Sequence, residues 1–231
     1  MKFDCLSRTG PKGENQDAVL PPFASGGAIW CAIADGVGSA AFGGLAARAS
    51  IDIVKTVTGD APMAEVFSAV SKNLSTIAAG LPSEKAVSTT LSVLRISGNH
   101  AVVGHVGDTR ISHYRGAGVL GRTIDQTEVQ KLVDDGVLTK NQARRYPRRN
   151  VLLSAMSAGR SYDLFQTEFA VTNGDRILLT TDGFHTKLLR RKIAELSVAN
   201  PKFSDFWDAL VLALAHEELS DDASCLAIEI E

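Results

Sequence analysis

Two hydrophobic periods organise the chain. Ile29 to Ala34 is an unbroken apolar run the length of one strand, and it stops at Asp35-Gly36, where a buried strand would surface. The period then changes: Leu45, Ala49, Ile53 and Val57 fall on one face of a helix between Phe42 and Gly59. Asp60 is placed to cap a second helix with Pro62 in its first turn, running through Val66, Val70, Leu74 and Ile77 to Gly80. Val87–Ile96 and Ala101–Val106 read as a hairpin turned at Gly98-Asn99, and Ile111–Tyr114 resumes after Gly107-Asp108-Thr109-Arg110. Phe165–Val171 and Arg176–Thr181 form another pair about Asn173-Gly174, ending at Asp182-Gly183. Helices are expected over Lys187–Val198 and Phe203–Leu219, the second with Phe206, Leu210 and Leu214 on one face, and a last strand over Ser224–Ile230. Near the start, residues 7–16 are polar and turn-rich, Ala18-Val19-Leu20 is a short apolar piece, and Pro21-Pro22 with Gly26-Gly27 reads as a connection.

Strands and helices come in groups rather than alternating singly, which predicts an antiparallel α+β fold with helices on the outside. Residues 125–149 differ from the rest. They hold short amphipathic stretches (Val129, Leu132, Val133, then Val137, Leu138) and a basic run, Arg144-Arg145-Tyr146-Pro147-Arg148-Arg149. This reads as a helical insertion over the sheet, so 1–231 is expected to be a single domain. The basic run is either a solvated face or a surface for a phosphorylated or acidic partner.

A formal net charge of −2 gives no reason to expect nucleic acid or a membrane surface as partner. Cys5, Cys31 and Cys225 are few, widely spaced and in apolar surroundings, which fits buried free thiols. No apolar signal segment opens the sequence and no run is long enough to span a bilayer, so a cytoplasmic location is expected.

The acids change the picture more than composition does. Asp35, Asp108 and Asp182 each follow the C-terminal end of an expected strand, and Asp17 and Asp221 each precede the start of one. In antiparallel pairs those ends lie on the same edge, so five carboxylates would converge on one rim. Each Asp-Gly pair alone is an ordinary turn. Together, however, packed carboxylates repel, and cations relieve that cost. An all-oxygen donor set suits Mg²⁺ or Mn²⁺ rather than zinc.

The motifs Asn15-Gln16-Asp17-Ala18, Ala34-Asp35-Gly36-Val37-Gly38-Ser39, Ser88-Thr89-Thr90-Leu91, Val106-Gly107-Asp108-Thr109-Arg110, Thr181-Asp182-Gly183 and Asp221-Asp222-Ala223-Ser224 follow one another in that order. In this order they resemble the metal-dependent type 2C serine/threonine protein phosphatases, the PPM family. The resemblance covers essentially the whole chain. It implies two packed, mainly antiparallel β-sheets flanked by helix pairs, with 125–149 as a flap beside the site. It implies two Mn²⁺ or Mg²⁺ ions held by Asp17, Asp35, the Gly36 carbonyl, Asp182 and Asp221, with Asp35 bridging and Asp108 serving a third, weaker ion. It also implies hydrolysis of phosphoserine and phosphothreonine in proteins by a bridging water that the metals activate, opposite a cognate kinase.

The chain departs from the family pattern in several places. Lys12 stands where an arginine often binds phosphate, with Arg8 a second candidate, and Gln16 replaces a common glutamate. Val37 and Ala40 occupy the places of a histidine proposed as general acid. His185 is then either the proton donor or a supporting residue. Asp108 is alternatively a turn cap or a partner of Arg110, and Asp222, where asparagine is commoner, either supports the fold or tunes the metal. Thr89 and Thr90 are expected to support the site from beneath. Two other readings stand beside the protein phosphatase: a phosphatase-like binding module with weak or no catalysis, and a phosphatase of small phosphoesters.

Overall fold

The computed structural model describes residues 1–37, 42–81 and 87–231. Gly38, Ser39 and Ala40, named above for the second motif and the missing histidine, lie outside the described residues. The elements run β1 (Lys2–Arg8), β2 (Asp17–Ser25), β3 (Ala28–Asp35), α1 (Gly43–Lys55), α2 (Met63–Ala79), β4 (Ser88–Thr89), β5 (Leu91–Ser97), β6 (His100–Val106), β7 (Arg110–Arg115) and β8 (Gly118–Gly121). They continue with α3 (Glu128–Asp134), α4 (Lys140–Ala143), β9 (Met156–Ser157), β10 (Phe165–Ala170), β11 (Arg176–Thr180), α5 (Asp182–His185), α6 (Arg190–Ala199), α7 (Phe203–Ala215) and β12 (Ala223–Glu229).

Two five-stranded sheets result, ordered β1-β12-β11-β7-β8 and β10-β6-β5-β3-β2, and every described pairing within them is antiparallel. Alternation along each strand divides the apolar residues between layers. In β3, Cys31 and Ile33 join Leu94, Val103, Ile177, Leu179, Leu226 and Ile228 in a core between the sheets. Trp30, Ala32 and Ala34 of the same strand instead meet α1 and α2, through Ala47, Val54, Phe67 and Val70. In β12, Cys225 and Ala227 face α6 and α7, against Phe206, Leu210 and Leu214. The fold is the expected pair of antiparallel sheets flanked by helix pairs.

Local corrections follow from packing. β2 runs straight through Pro21-Pro22, because it is a sheet edge and its register shifts between Leu20 and Phe23. The polar N-terminal residues form β1, paired along its length with β12. As the other sheet's edge strand it leaves Cys5 exposed rather than buried, while Cys31 and Cys225 are buried free thiols. On α1 the buried face is Ala46, Ala47, Ala49, Ser50, Ile51 and Val54; of the expected face only Ala49 is buried, with Leu45, Ile53 and Val57 half-buried. Small residues face inward there because the helix start comes against Gly36, where an added Cβ would lie 2.3 Å from the Gly43 carbonyl carbon. Asp60 does not cap α2. Its N-cap is Pro62 with no side-chain cap bond, and the Asp60 carboxylate lies 3.8 Å from Arg95. No helix among the described residues is long and apolar enough to cross a membrane.

Candidate functional site

Sheet register brings the acids together. Asp17 opens β2 and Asp35 ends β3, and the two are direct cross-strand partners. Thr180 at the end of β11 pairs with both Cys225 and Arg110, so Asp182, Asp221 and Asp108 arrive at the same rim from three neighbouring strands. Asp35, Asp108, Asp182 and Asp221 line a cleft of about 190 Å³ together with Gly36, Val37, Lys12, Glu14, Gln16, Thr90, Asn150, Leu152 and Asp222. Asp17, the cross-strand partner of Asp35, is buried and is not among the lining residues.

Close backbone packing makes this rim possible. An added Cβ on Gly183 would lie 2.1 Å from the Asp222 carbonyl oxygen, and one on Gly10 would lie 2.4 Å from the Asp221 carbonyl carbon. Glycine at both places lets the α5 turn and the 9–16 loop sit directly on the Asp221-Asp222 segment. Asp222 fastens that loop: its two carboxylate oxygens accept the Gly10 and Gln16 N–H groups, each at 2.8 Å. Its role in this structure is therefore to hold the loop. Thr89 and Thr90 hold Asp35 from beneath, as expected. The Thr89 hydroxyl donates to the Asp35 carbonyl at 2.8 Å, the Thr90 N–H donates to the same carbonyl at 2.8 Å, and the Thr90 hydroxyl accepts the Asp35 N–H at 3.0 Å.

Gathering so many carboxylates shifts their acidity. Burial, followed by the charges of Asp17, Asp182, Asp108 and Asp221, holds the Asp35 carboxyl well above its usual range. Burial also pushes Asp17 to about 7, with Asp222 and Asp182 adding to the shift. Burial, then Asp182 and Asp125, pushes Asp108 to about 8. Asp182 is raised by burial and by Asp221. Among the described residues no three histidine, cysteine or acidic side chains close on one point as a formed cation cage. Asp221 is engaged by Lys12 Nζ at 2.6 Å, and Asp17 Oδ2 accepts the Thr181 hydroxyl at 2.9 Å. The donor set nonetheless fits a hard divalent cation. It is all oxygen, its carboxyl groups repel one another, and the buried Asp17 Oδ1 has no hydrogen-bond partner among the described residues.

The other sequence-predicted residues divide. Lys12 lines the cleft, and its ammonium pKa is raised by the bond to Asp221 and the nearby Asp182 and Asp35. Arg8 turns away: its guanidinium donates to the Leu214 carbonyl at the end of α7, at 3.3 Å, and it does not line the cleft. His185 is buried outside the cleft lining, with Nε2 3.1 Å from the Asp108 carbonyl oxygen. Burial and the Arg110 charge depress its pKa to about 3, so the ring is neutral and its one N–H is spent on a backbone carbonyl. It steadies the Asp108 turn and does not line the cleft. Arg110 pairs with Asp125 through two bonds of 2.8 and 2.6 Å rather than with Asp108.

Two working residues are given no role by the sequence. The Thr181 hydroxyl donates to Asp17 and accepts the Ser224 N–H at 2.9 Å, tying together three of the motifs. Its place beside Asp182-Gly183 was the available cue. Asp125 is half-buried and bonded to Arg110, and only the basic partner fifteen positions earlier hints at it.

Comparison with known proteins fits this geometry. The serine/threonine protein phosphatase PstP of Mycobacterium tuberculosis (strain CDC 1551 / Oshkosh) is 31% identical over 191 residues, covering 80% of this chain and 36% of that protein. The chain thus spans little more than a third of that relative's length. A crystal structure of the M. tuberculosis phosphatase PstP/Ppp superposes with a TM-score of 0.84 at 27% identity, covering 100% of this chain and 98% of that one. The catalytic domain of PstP in complex with two manganese ions superposes with a TM-score of 0.81 at 25% identity, covering 100% and 98% respectively. Residues 11–225 match the family profile described as Protein phosphatase 2C, which leaves only the two ends outside it, and the chain belongs to the protein phosphatase 2C family.

Proposed function

We propose that the chain is a divalent-cation-dependent phosphatase that hydrolyses phosphoserine and phosphothreonine in proteins, working in the cytoplasm opposite a kinase. The observation that carries this reading is the convergence of Asp35, Asp108, Asp182 and Asp221 on one cleft, with Asp17 across the strand pair from Asp35 and three of the carboxyl groups pushed far above their usual range. Family membership and the two manganese ions bound by the PstP catalytic domain support it.

Asp17, Asp35, Asp182, Asp221 and the Gly36 carbonyl would hold two Mn²⁺ or Mg²⁺ ions, and Asp108 a third, weaker one. Such ions neutralise charge on the phosphoryl oxygens and lower the pKa of an attacking water. The chain's own residues place and orient. Thr181 fixes one oxygen of Asp17 and leaves the other, buried and without a partner among the described residues, for a cation, and Thr89 and Thr90 fix Asp35. Lys12 gives one N–H to Asp221, which leaves two donors and a positive charge for a phosphoryl oxygen at the cleft mouth. Leu152 adds an apolar wall to the cleft.

The test is turnover of p-nitrophenyl phosphate and of a phosphothreonine peptide with Mn²⁺, with and without chelator. Chelator-sensitive turnover of both is expected, lost in Asp35→Asn with the circular dichroism spectrum preserved. Failure to turn over either substrate overturns the enzyme reading. Turnover of the small ester alone assigns small phosphoesters instead.

A further inference from the structure

Residues 140–149 carry five basic side chains and no acid. The structure gives this run a fixed mount. Glu128, in the first turn of α3, accepts from Arg148 Nη2 at 2.7 Å and Nε at 3.0 Å, and from the Tyr146 hydroxyl at 2.5 Å. The Glu128 N–H donates to the Val151 carbonyl at 2.9 Å, and the Leu153 N–H to the Gln126 carbonyl at 2.8 Å. One acid thus pins the 146–151 turn through a single arginine. Arg144, Arg145 and Arg149 are exposed, and Arg148 alone of the four is held by a carboxylate among the described residues.

Where the run ends matters. Asn150, the residue after Arg149, lines the same cleft as Asp35 and Asp182, and so does Leu152. Consecutive Cα atoms are about 3.8 Å apart, so Arg149 stands beside the cleft mouth, and Arg144 and Arg145 continue the ridge away from it through the turn that the Arg149 N–H closes on the Tyr146 carbonyl. A rim of guanidinium groups beside a wall of carboxylates sorts an approaching chain by sign. Anions flanking the reacting residue meet the ridge, and cations meet Glu14 and the acids. Guanidinium forks match carboxylate and phosphate oxygens in pairs.

We propose that the Arg144, Arg145 and Arg149 ridge selects protein substrates whose phosphorylated residue is flanked by further anions, either carboxylate side chains or a second phosphate. This rests on the phosphatase reading above and names the substrate class of that site.

The experiment measures kcat/KM and, by fluorescence anisotropy, binding for four phosphothreonine peptides, with flanking glutamates, a second phosphothreonine, neutral residues or lysines. Wild type is compared with Arg144→Gln/Arg145→Gln/Arg149→Gln, and p-nitrophenyl phosphate serves as the control for the chemistry. Three exposed charge pairs acting together correspond to roughly a tenfold preference for the anionic peptides over the neutral one. That preference is expected to vanish in the triple variant and to shrink in high salt, with p-nitrophenyl phosphate turnover unchanged. A response to only one anionic peptide tells carboxylate from phosphate. Equal values for all four peptides, or a preference that survives in the variant, overturn the proposal. Arginine-dependent binding of the anionic peptides by a chain that turns over no ester would keep the ridge and overturn the phosphatase reading alone.

Discussion

Replacing Asp17 by asparagine should stabilise the cation-free protein while removing its response to cations. Asp17 faces Asp35 across β2 and β3, with one carboxylate oxygen bonded to Thr181 and the other without a partner. Burial and the neighbouring charges carry its pKa from 3.8 to about 7. A carboxyl whose folded pKa is raised favours the native state while protonated. Its contribution is therefore full below about pH 4 and lost as pH rises through about 7. At about 1.4 kcal/mol per unit, the shift corresponds to stability on the order of 4 kcal/mol lost by pH 8. Asparagine keeps an oxygen for Thr181 and carries no charge, while seating an NH₂ group without a partner costs about 1–2 kcal/mol. Urea unfolding at pH 8 in chelator should then show Asp17→Asn about 2–3 kcal/mol more stable than wild type, with the order reversed by about 1 kcal/mol at pH 4, where wild type is protonated and only the NH₂ cost remains. With Mn²⁺ the order reverses, because wild type gains binding energy that the variant has lost. A variant less stable than wild type at pH 8 in chelator, or equally stabilised by Mn²⁺, would refute this account of the cluster.

Other substitutions probe the supports. Asp222→Ala removes the acceptor for the Gly10 and Gln16 N–H groups, and bonds to a charged acceptor contribute about 1.5–3 kcal/mol each. Urea unfolding should show a loss of about 2–5 kcal/mol, eased by the charge relieved, and proteolysis should cut within 9–16; an uncut loop contradicts its role as clamp. Gly183→Ala forces its Cβ against the Asp222 carbonyl, so a loss of about 1–3 kcal/mol or more in urea unfolding and weaker Mn²⁺ binding by calorimetry are expected. Arg110→Gln leaves the half-buried Asp125 without its guanidinium, at about 1.5–3 kcal/mol, and amide exchange across 126–149 should quicken.

The parts of this molecule legible in the sequence are those that local pattern determines. Apolar runs ending at Asp35, Asp108 and Asp182 mark strand ends, and antiparallel pairing does the rest, so the rim of acids could be assembled from one chain read in order. What escaped reading depends on contacts far along the chain. Thr181 meets Asp17 across 164 positions and Asp222 meets Gln16 across 206, and no window of sequence holds both partners. The α1 face misled because hydrophobic periodicity weights Leu45 and Ile53, whereas the close approach at Gly36 requires alanine and serine. β1 is exposed along almost its whole length and has no buried apolar face to announce it, because an edge strand paired at seven positions with β12 needs little of one. His185 looked available because of its place beside Asp182-Gly183, and only the carbonyl of Asp108 reveals that its proton is already committed.

The central claim is that these carboxylates are gathered to hold divalent cations. The direct test is anomalous diffraction from crystals soaked in Mn²⁺. The account predicts two strong manganese peaks bounded by Asp17, Asp35, the Gly36 carbonyl, Asp182 and Asp221, both absent in Asp35→Asn crystals. No peak in the cleft, or manganese bound only elsewhere on the chain, would contradict it.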